Sequence, residues 1–280
     1  MKKRIIVAAI FLPIVFIVLY YLPPYVLAGV LSFVCAVSAY ELMHTVGGKC
    51  NERVRIYAIF SAALVPVGAY FELTVLIFPA VFLILMCLLF FEAFFAYGTI
   101  RKLTFSQILT ALFAGTLIPL MLSSLVSLKI MPGGHLLVFL PFISAFLTDA
   151  GAYFTGLAFG KRKAFPLISP KKTVEGCIGG LVTGTAVMVV YGLVVYATSL
   201  HIVVFWALFL YGIIGAAITQ VGDLAFSLVK REFSIKDYGR LLPGHGGMLD
   251  RFDSMVFTAP AMFLLTSLAP PIIPAIIVTA

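Results

Sequence analysis

Apolar residues along this chain do not alternate with polar ones. They run in long blocks, broken by short stretches that hold nearly all of the charge. Nine blocks stand out, at roughly 5–21, 25–43, 55–71, 74–97, 105–128, 134–159, 176–198, 202–229 and 253–274. A helix that crosses about 30 Å of hydrocarbon needs about 17–25 such residues. The pattern therefore predicts an all-α, polytopic integral membrane protein with about nine transmembrane helices. Strands of a membrane barrel would alternate apolar and polar side chains, and these blocks do not. Pro23–Pro24 predicts a tight turn between the first two spans, because proline cannot continue a helix. The narrowest breaks are Phe71-Glu72-Leu73, which must turn outside the membrane, and the joint at 199–202.

Composition agrees with the pattern. Hydrophobic residues make up 62% of the chain, charged residues 11%, and the mean hydropathy is +1.15. Soluble domains average about 45–50% apolar and about 25% charged. The four cysteines, Cys35, Cys50, Cys87 and Cys177, are scattered without a paired spacing, so neither a disulfide framework nor a zinc site is expected. No repeat or polar linker interrupts the chain. It reads as a single transmembrane domain over 1–280, with N-terminal helices in 1–133 and the candidate chemistry in 134–280. The apolar run Ile5–Tyr21 behind Met1-Lys2-Lys3-Arg4 is longer than a usual signal-peptide core, which favours an uncleaved first span.

The basic residues orient the model. With the N-terminus in the cytoplasm, only Lys129 of the 19 Lys and Arg residues falls on the far side. That is the positive-inside pattern. It turns most of the +8 net charge into a topology signal and gives no reason to expect nucleic acid. A single Lys or Arg here is first of all topological or lipid-facing.

Acidic residues inside spans are costly and mark functional cavities more often than not. Glu41 and Glu92 lie near cytoplasmic span ends, where they can snorkel or pair with nearby bases. Asp149 lies about 11 residues into its span, roughly 16 Å at 1.5 Å per residue. It shares a helix face with Tyr153, Gly156 and Gly160. Asp223, Ser227 and Lys230 share another face, and Asp250 and Asp253 stand one turn apart near the start of the last span. Carboxylates that converge share protons or bind a hard cation. Mg²⁺ takes one or two of them plus substrate phosphates. The plainer reading of Asp250 and Asp253 is helix-dipole stabilisation, about 0.3–1 kcal/mol each.

The densest polar stretch is 230–253, Lys230 to Asp253. Its glycines, Gly244, Gly246 and Gly247, allow close backbone approach to a ligand, and amides at a helix start bind anions. His245 can donate to phosphate or act as acid and base. A second basic loop, 161–175, carries Ser169-Pro170-Lys171-Lys172-Thr173, which could cap the next helix and present two lysines to phosphate.

Three stretches together resemble the phosphatidate cytidylyltransferase (CDP-diacylglycerol synthase) family. They are Ser227-Leu228-Val229-Lys230-Arg231 followed by Lys236-Asp237, Leu242-Pro243-Gly244-His245-Gly246-Gly247 and Asp250-Arg251-Phe252-Asp253; Asp149 to Lys161; and Ser169 to Gly176. The signature spans 227–253. One departure is Val174, where the family often carries an aromatic. The resemblance implies a nucleotidyltransferase of phospholipid biosynthesis that uses CTP and phosphatidic acid in the bacterial cytoplasmic (inner) membrane, with the active site facing the cytoplasm. It implies Mg²⁺, in a site of one or two ions, held by Asp223, Asp250 and Asp253. Lys230, Lys236 and His245 would act on the phosphates. Ser227, Arg231, Lys171, Lys172, Gly246, Gly247 and Arg251 would bind the phosphates of CTP or phosphatidate. Asp149, Tyr153 and Asp237 keep two readings, helix pairing or support of the site. A homodimer is the working expectation for assembly. The rivals are an ion- or proton-coupled transporter and a different lipid-phosphate nucleotidyl- or phosphotransferase. The first would need polar groups on both half-pathways; the second would need another aspartate spacing.

Overall fold

The computed structural model describes residues 13–48, 51–99, 102–198, 202–241, 246–268 and 276–277. It is mostly helical and divides into two compact units, Met1–Ser127 with Glu232–Phe252, and Leu128–Arg231 with Asp253–Ala280.

Residues 13–20 are helical. The first unit continues with α1 (Pro24–Thr45), α2 (Glu52–Tyr70), α3 (Thr74–Ala96), α4 (Phe105–Leu112), a π-helical turn (Phe113–Leu117) and most of α5 (Ile118–Ile130). Local sequence explains the starts. Pro24 opens α1, where its missing N–H costs nothing. The Asn51 side chain accepts from Arg53 N at the start of α2. Thr104 and Gln107 form a reciprocal capping box on α4. The expected turn at Phe71-Glu72-Leu73 lies between α2 and α3, with Glu72 at φ 58°. Core side chains come from Leu27, Leu31 and Cys35 of α1, Val54, Ala58 and Ala62 of α2, and Leu85 and Leu89 of α3. The π-turn brings Gly115 to the Ala58 backbone and the Leu85 side chain, where a Cβ would stand 2.8 Å from Leu85. Glu92 follows the expected pairing: it accepts from Asn51 and Tyr57 and pairs with Arg53 at 3.5 Å.

The second unit holds α6 (Gly134–Leu137), α7 (Phe139–Phe159), strands β1 (Lys163–Phe165) and β2 (Ser169–Thr173), α8 (Val174–Thr198), β3 (Ile202–Val203), α9 (Phe205–Glu232, all but its last residue), α10 (Leu249–Leu268, from Asp253 on) and β4 (Ile276–Ile277). β1 pairs with β2 and β3 with β4, both antiparallel. Small residues let the helices approach closely, as in membrane bundles generally. Gly151 of α7 faces Thr183 of α8, Gly180 faces Ala152, and Gly212 of α9 abuts Thr185. An apolar cluster of Leu137, Leu140, Met188, Leu208, Tyr211 and Met262 fills the unit. Hydrogen bonds between elements tie it together: Tyr211 donates to the Leu265 carbonyl at 2.7 Å, Tyr191 to that of Leu136 at 2.8 Å, and Thr219 meets Thr258 at 2.9 Å.

Six of the described helical segments are long and apolar enough to cross a membrane: α1, α3, the α4–α5 segment, the α6–α7 segment, α8 and α9. Helices α2 and α10 open on charged turns, with Glu52, Arg53 and Arg55 in one and Asp250, Arg251 and Asp253 in the other. Two details differ from the sequence expectation. Helix α10 starts at Leu249, four residues before the expected 253, which brings both aspartates into its first two turns. The basic loop after α7 is a β-hairpin, not irregular chain.

Gly212 gives a direct test of the close packing. A Cβ there would stand 2.7 Å from the Thr185 Cα, whereas one at Gly29 of α1 meets nothing within 4 Å. Gly212→Ala should destabilise the protein by about 1–3 kcal/mol through overpacking. Gly29→Ala should be neutral or stabilising by about 0.5–1 kcal/mol, the ordinary helical preference. Thermal unfolding of both variants in detergent measures the contrast.

Candidate active site

In the first unit, Tyr238 and residues 247–249 surround two buried carboxylates, Asp250 and Glu41. Asp250, 9% exposed, accepts from the Tyr238 amide at 2.8 Å and the Gly247 amide at 3.0 Å through one oxygen, Oδ2. Glu41, 4% exposed, reaches from α1 with both oxygens. Its Oε1 accepts from Met248 N and its Oε2 from Leu249 N, each at 2.9 Å. These amides open α10, so the anion at that helix N-terminus is a side chain of the protein itself. The glycines are explained by the same two carboxylates. Gly246 sits at φ +84°, a left-handed conformation that suits glycine, and a Cβ there would stand 3.2 Å from Asp250 Oδ2 and 3.5 Å from Asp237 Oδ1. A Cβ on Gly247 would fall 2.5 Å from the Glu41 carboxylate.

Sequence reasoning gave Glu41 a snorkelling or ion-pairing role. The structure corrects this, because its two oxygens are spent on backbone amides. Lys236, Asp237 and Arg251 have exposed side chains. His245 lies outside the described residues.

The second unit gathers a different set. Lys172 of β2 pairs with Asp223 of α9 through Nζ and Oδ2, and its ammonium is buried. Lys230, 9% exposed, stands 3.6 Å from Asp253 Oδ2. Asp253 Oδ1 also accepts from the Ser254 amide at 2.8 Å. The Ser254 hydroxyl bridges Asp253, at 3.3 Å, and Asp149, at 3.2 Å. Asp149 in turn feels the charges of Asp223, Lys172 and Asp253. Ser227 is buried one turn from both Asp223 and Lys230. The structure thus brings Asp149, Lys172, Asp223, Lys230 and Asp253 together. Lys171 and Tyr153 point away into exposed positions.

With every group ionised, three carboxylates against two ammonium groups would leave one net negative charge. The oxygen donors are those a hard cation takes. Among the described residues, no three acidic, His or Cys side chains already surround one point. Lysines pair with two of the three carboxylates instead, so a cation there would compete with Lys172 for Asp223 and with Lys230 for Asp253.

The hairpin and helix starts position these groups. Thr173 caps α8 by accepting from Gly176 N at 3.1 Å, as the Ser-Pro-Lys-Lys-Thr stretch suggested. Glu175 Oε2 accepts from the amides of Lys161 and Arg162 at 3.1 and 3.2 Å. Arg231 donates from Nε to the Ile168 carbonyl at 3.0 Å. Arg231 was expected on phosphate; here it anchors the hairpin that carries Lys172.

These features define an integral membrane protein with a half-buried cluster of carboxylates and lysines. The chain belongs to the cytidylyltransferase family, whose model matches residues 2–269. It is 45% identical over 133 residues to a phosphatidate cytidylyltransferase of Staphylococcus saprophyticus, covering 48% of this chain and 49% of that protein. It is 48% identical over 124 residues to the one of Staphylococcus haemolyticus, covering 44% and 46%. The phosphatidate cytidylyltransferase of Bacillus subtilis is 44% identical over 121 residues, covering 43% and 44%. The chain thus spans about half the length of the curated relatives it matches.

The Glu41 contacts are testable without any assay of activity. Hydrogen bonds to a charged group are worth about 1.5–3 kcal/mol. Glu41→Gln keeps the shape, loses the charge and turns one acceptor into a donor. Amide hydrogen exchange at Met248 and Leu249 should rise by about tenfold or more. Glu92→Gln, whose partners lie on α2 and at its cap, should leave both amides unchanged.

Proposed function

We propose that this protein transfers the cytidylyl group of CTP to phosphatidic acid, giving CDP-diacylglycerol and pyrophosphate. The observation that carries the reading is the cluster of Asp149, Asp223 and Asp253 with Lys172 and Lys230 in a member of the cytidylyltransferase family. The names of the relatives supply the lipid acceptor.

A phosphate oxygen of the lipid attacks the α-phosphorus of CTP. The bond from that phosphorus to the bridging oxygen breaks, and pyrophosphate leaves with the electron pair. The nucleophile is already an anion, so no strong base is needed. The protein's work is positioning and charge neutralisation. Lys172 and Lys230 are held ready by carboxylates and can be transferred to phosphate oxygens. Ser227 lies between Asp223 and Lys230 on the α9 face. Lys236, Arg251 and Lys171 add exposed positive charge, and His245 and Gly246 stay with the CTP phosphates in this reading, with Gly247 giving close backbone approach while its amide remains on Asp250.

Mg²⁺ is the proposed metal, with Asp223, Asp250 and Asp253 as ligands. When bound, it would neutralise the phosphates and polarise the phosphorus under attack. Asp149 sits beside Asp253 through Ser254 and supports the same acidic cluster. Nine spans in a single domain over 1–280, a cytoplasmic N-terminus and a catalytic face toward the cytoplasm of a bacterial inner membrane complete the proposal. The pattern of apolar blocks and the one-sided Lys and Arg residues support that topology. The same one-sidedness argues against a transporter. A homodimer in the bilayer is the proposed assembly.

Asp250→Asn separates chemistry from folding. An asparagine oxygen can still accept from Tyr238 and Gly247, since one carboxylate oxygen now takes both bonds. Purified variant should keep its thermal stability but lose about 10²-fold or more of its conversion of radiolabelled CTP with phosphatidic acid and Mg²⁺. Chelation of Mg²⁺ should abolish turnover of the unsubstituted protein. Near-normal turnover by the variant overturns the metal assignment.

A further inference from the structure

The β1–β2 hairpin ends in an apolar tip that nothing in the proposed chemistry uses. Ile168 N donates to the Phe165 carbonyl at 3.3 Å and closes the turn. Leu167, at its apex, is 91% exposed, and Phe165 beside it is 39% exposed. This is not slack chain. Val174 N donates to the Arg162 carbonyl at 2.9 Å, Glu175 accepts from the amides of Lys161 and Arg162, and Arg231 grips the Ile168 carbonyl. The base of the hairpin and its turn are therefore fixed while the tip stays bare.

The surroundings identify what the tip meets. Helices α7 and α8, which flank the hairpin, both belong to segments long and apolar enough to span a bilayer. The hairpin joins their adjacent ends and so lies at one membrane–water boundary. The side chains of Lys161, Arg162, Lys163 and Lys171 around it are exposed. The stretch 161–174 contains five Lys and Arg residues and no acidic residue, so its cations outnumber the one carboxylate that follows, Glu175, whose Oε2 faces backbone amides. An apolar tip ringed by cations at the end of two spans is complementary to an anionic lipid surface, with apolar groups below the headgroups and ammonium groups among the phosphates.

We propose that the Phe165-Pro166-Leu167 tip is seated in the boundary between headgroups and acyl chains of an anionic leaflet, held there by Lys161, Arg162, Lys163 and Lys171. A consequence, which rests on the function proposed above, is that β2 carries Lys171 and Lys172 at the level of the lipid phosphates and delivers the acceptor phosphate beside Asp223.

The chain has one tryptophan, Trp206, which makes a clean reporter possible. Trp206→Phe with Leu167→Trp places a single fluorophore at the tip. In vesicles of phosphatidylcholine mixed with phosphatidylglycerol, its emission should be blue-shifted, quenched by lipids brominated near the top of the acyl chain, and shielded from acrylamide. Water-like emission that acrylamide quenches and brominated lipid does not would overturn the proposal. Adding Lys161→Gln, Arg162→Gln and Lys163→Gln should weaken bromolipid quenching in the anionic vesicles by at least twofold. Undiminished quenching removes the electrostatic part. CTP turnover is measured separately on the same preparations. An aqueous tip with normal turnover rejects the hairpin inference alone, and an immersed tip without CTP turnover rejects the enzymatic reading alone.

Discussion

A charge placed in a medium of low dielectric must be held by a partner or not be there at all. That constraint explains how the buried carboxylates and lysines of the two clusters are held. In the first unit the buried charges are carboxylates, and backbone amides hold them: Glu41 by Met248 and Leu249, Asp250 by Tyr238 and Gly247. In the second unit they are carboxylates and ammonium groups that hold each other: Lys172 with Asp223, Lys230 with Asp253. The two solutions differ in what they leave free. Glu41, held through both oxygens, is committed to the fold, whereas the amides take only one oxygen of Asp250. A lysine-held carboxylate can exchange its partner, because a phosphate competes for the lysine and a cation competes for the carboxylate.

The apolar blocks were legible because a bilayer fixes the length of what crosses it. Boundaries were less so where charge enters a helix. Leu249-Asp250-Arg251-Phe252 reads as loop by hydropathy, yet the amides of Leu249 and the preceding Met248 find Glu41 and the helix starts there. The hairpin was illegible for a related reason. Pro166 and Pro170 and a crowd of lysines argue for irregular chain, and what makes strands of them is tertiary: the Glu175 carboxylate and the Arg231 guanidinium.

Much of the candidate site could be read from spacing. Asp223, Ser227 and Lys230 share a face of α9, whereas the link from Asp149 to Asp253 through Ser254 is tertiary and spacing left the role of Asp149 open. What spacing could not reveal was Glu41, 207 residues before Met248. Its partners are backbone amides, which carry no residue-type signal. The available clue was weak: an acidic residue near a span end whose own helix offers it no Lys or Arg, only His44 three residues on. Lys172 was read as a phosphate ligand, and its pairing with Asp223 adds the charge that holds it in the absence of substrate.

The glycine-rich approach to α10 changes meaning in this light. Glycines before a helix start are commonly read as a cradle whose amides face a phosphate. Here the Gly247 amide is given to Asp250, and the first amides of α10 are given to Glu41. Glycine is needed because the backbone must pass close to two carboxylates of its own chain, not only to a ligand. An anionic substrate that meets this arrangement finds those amides occupied. Its negative charge then has to be met by side chains that can move, and among the described residues the lysines paired to aspartate are the ones already poised to do so.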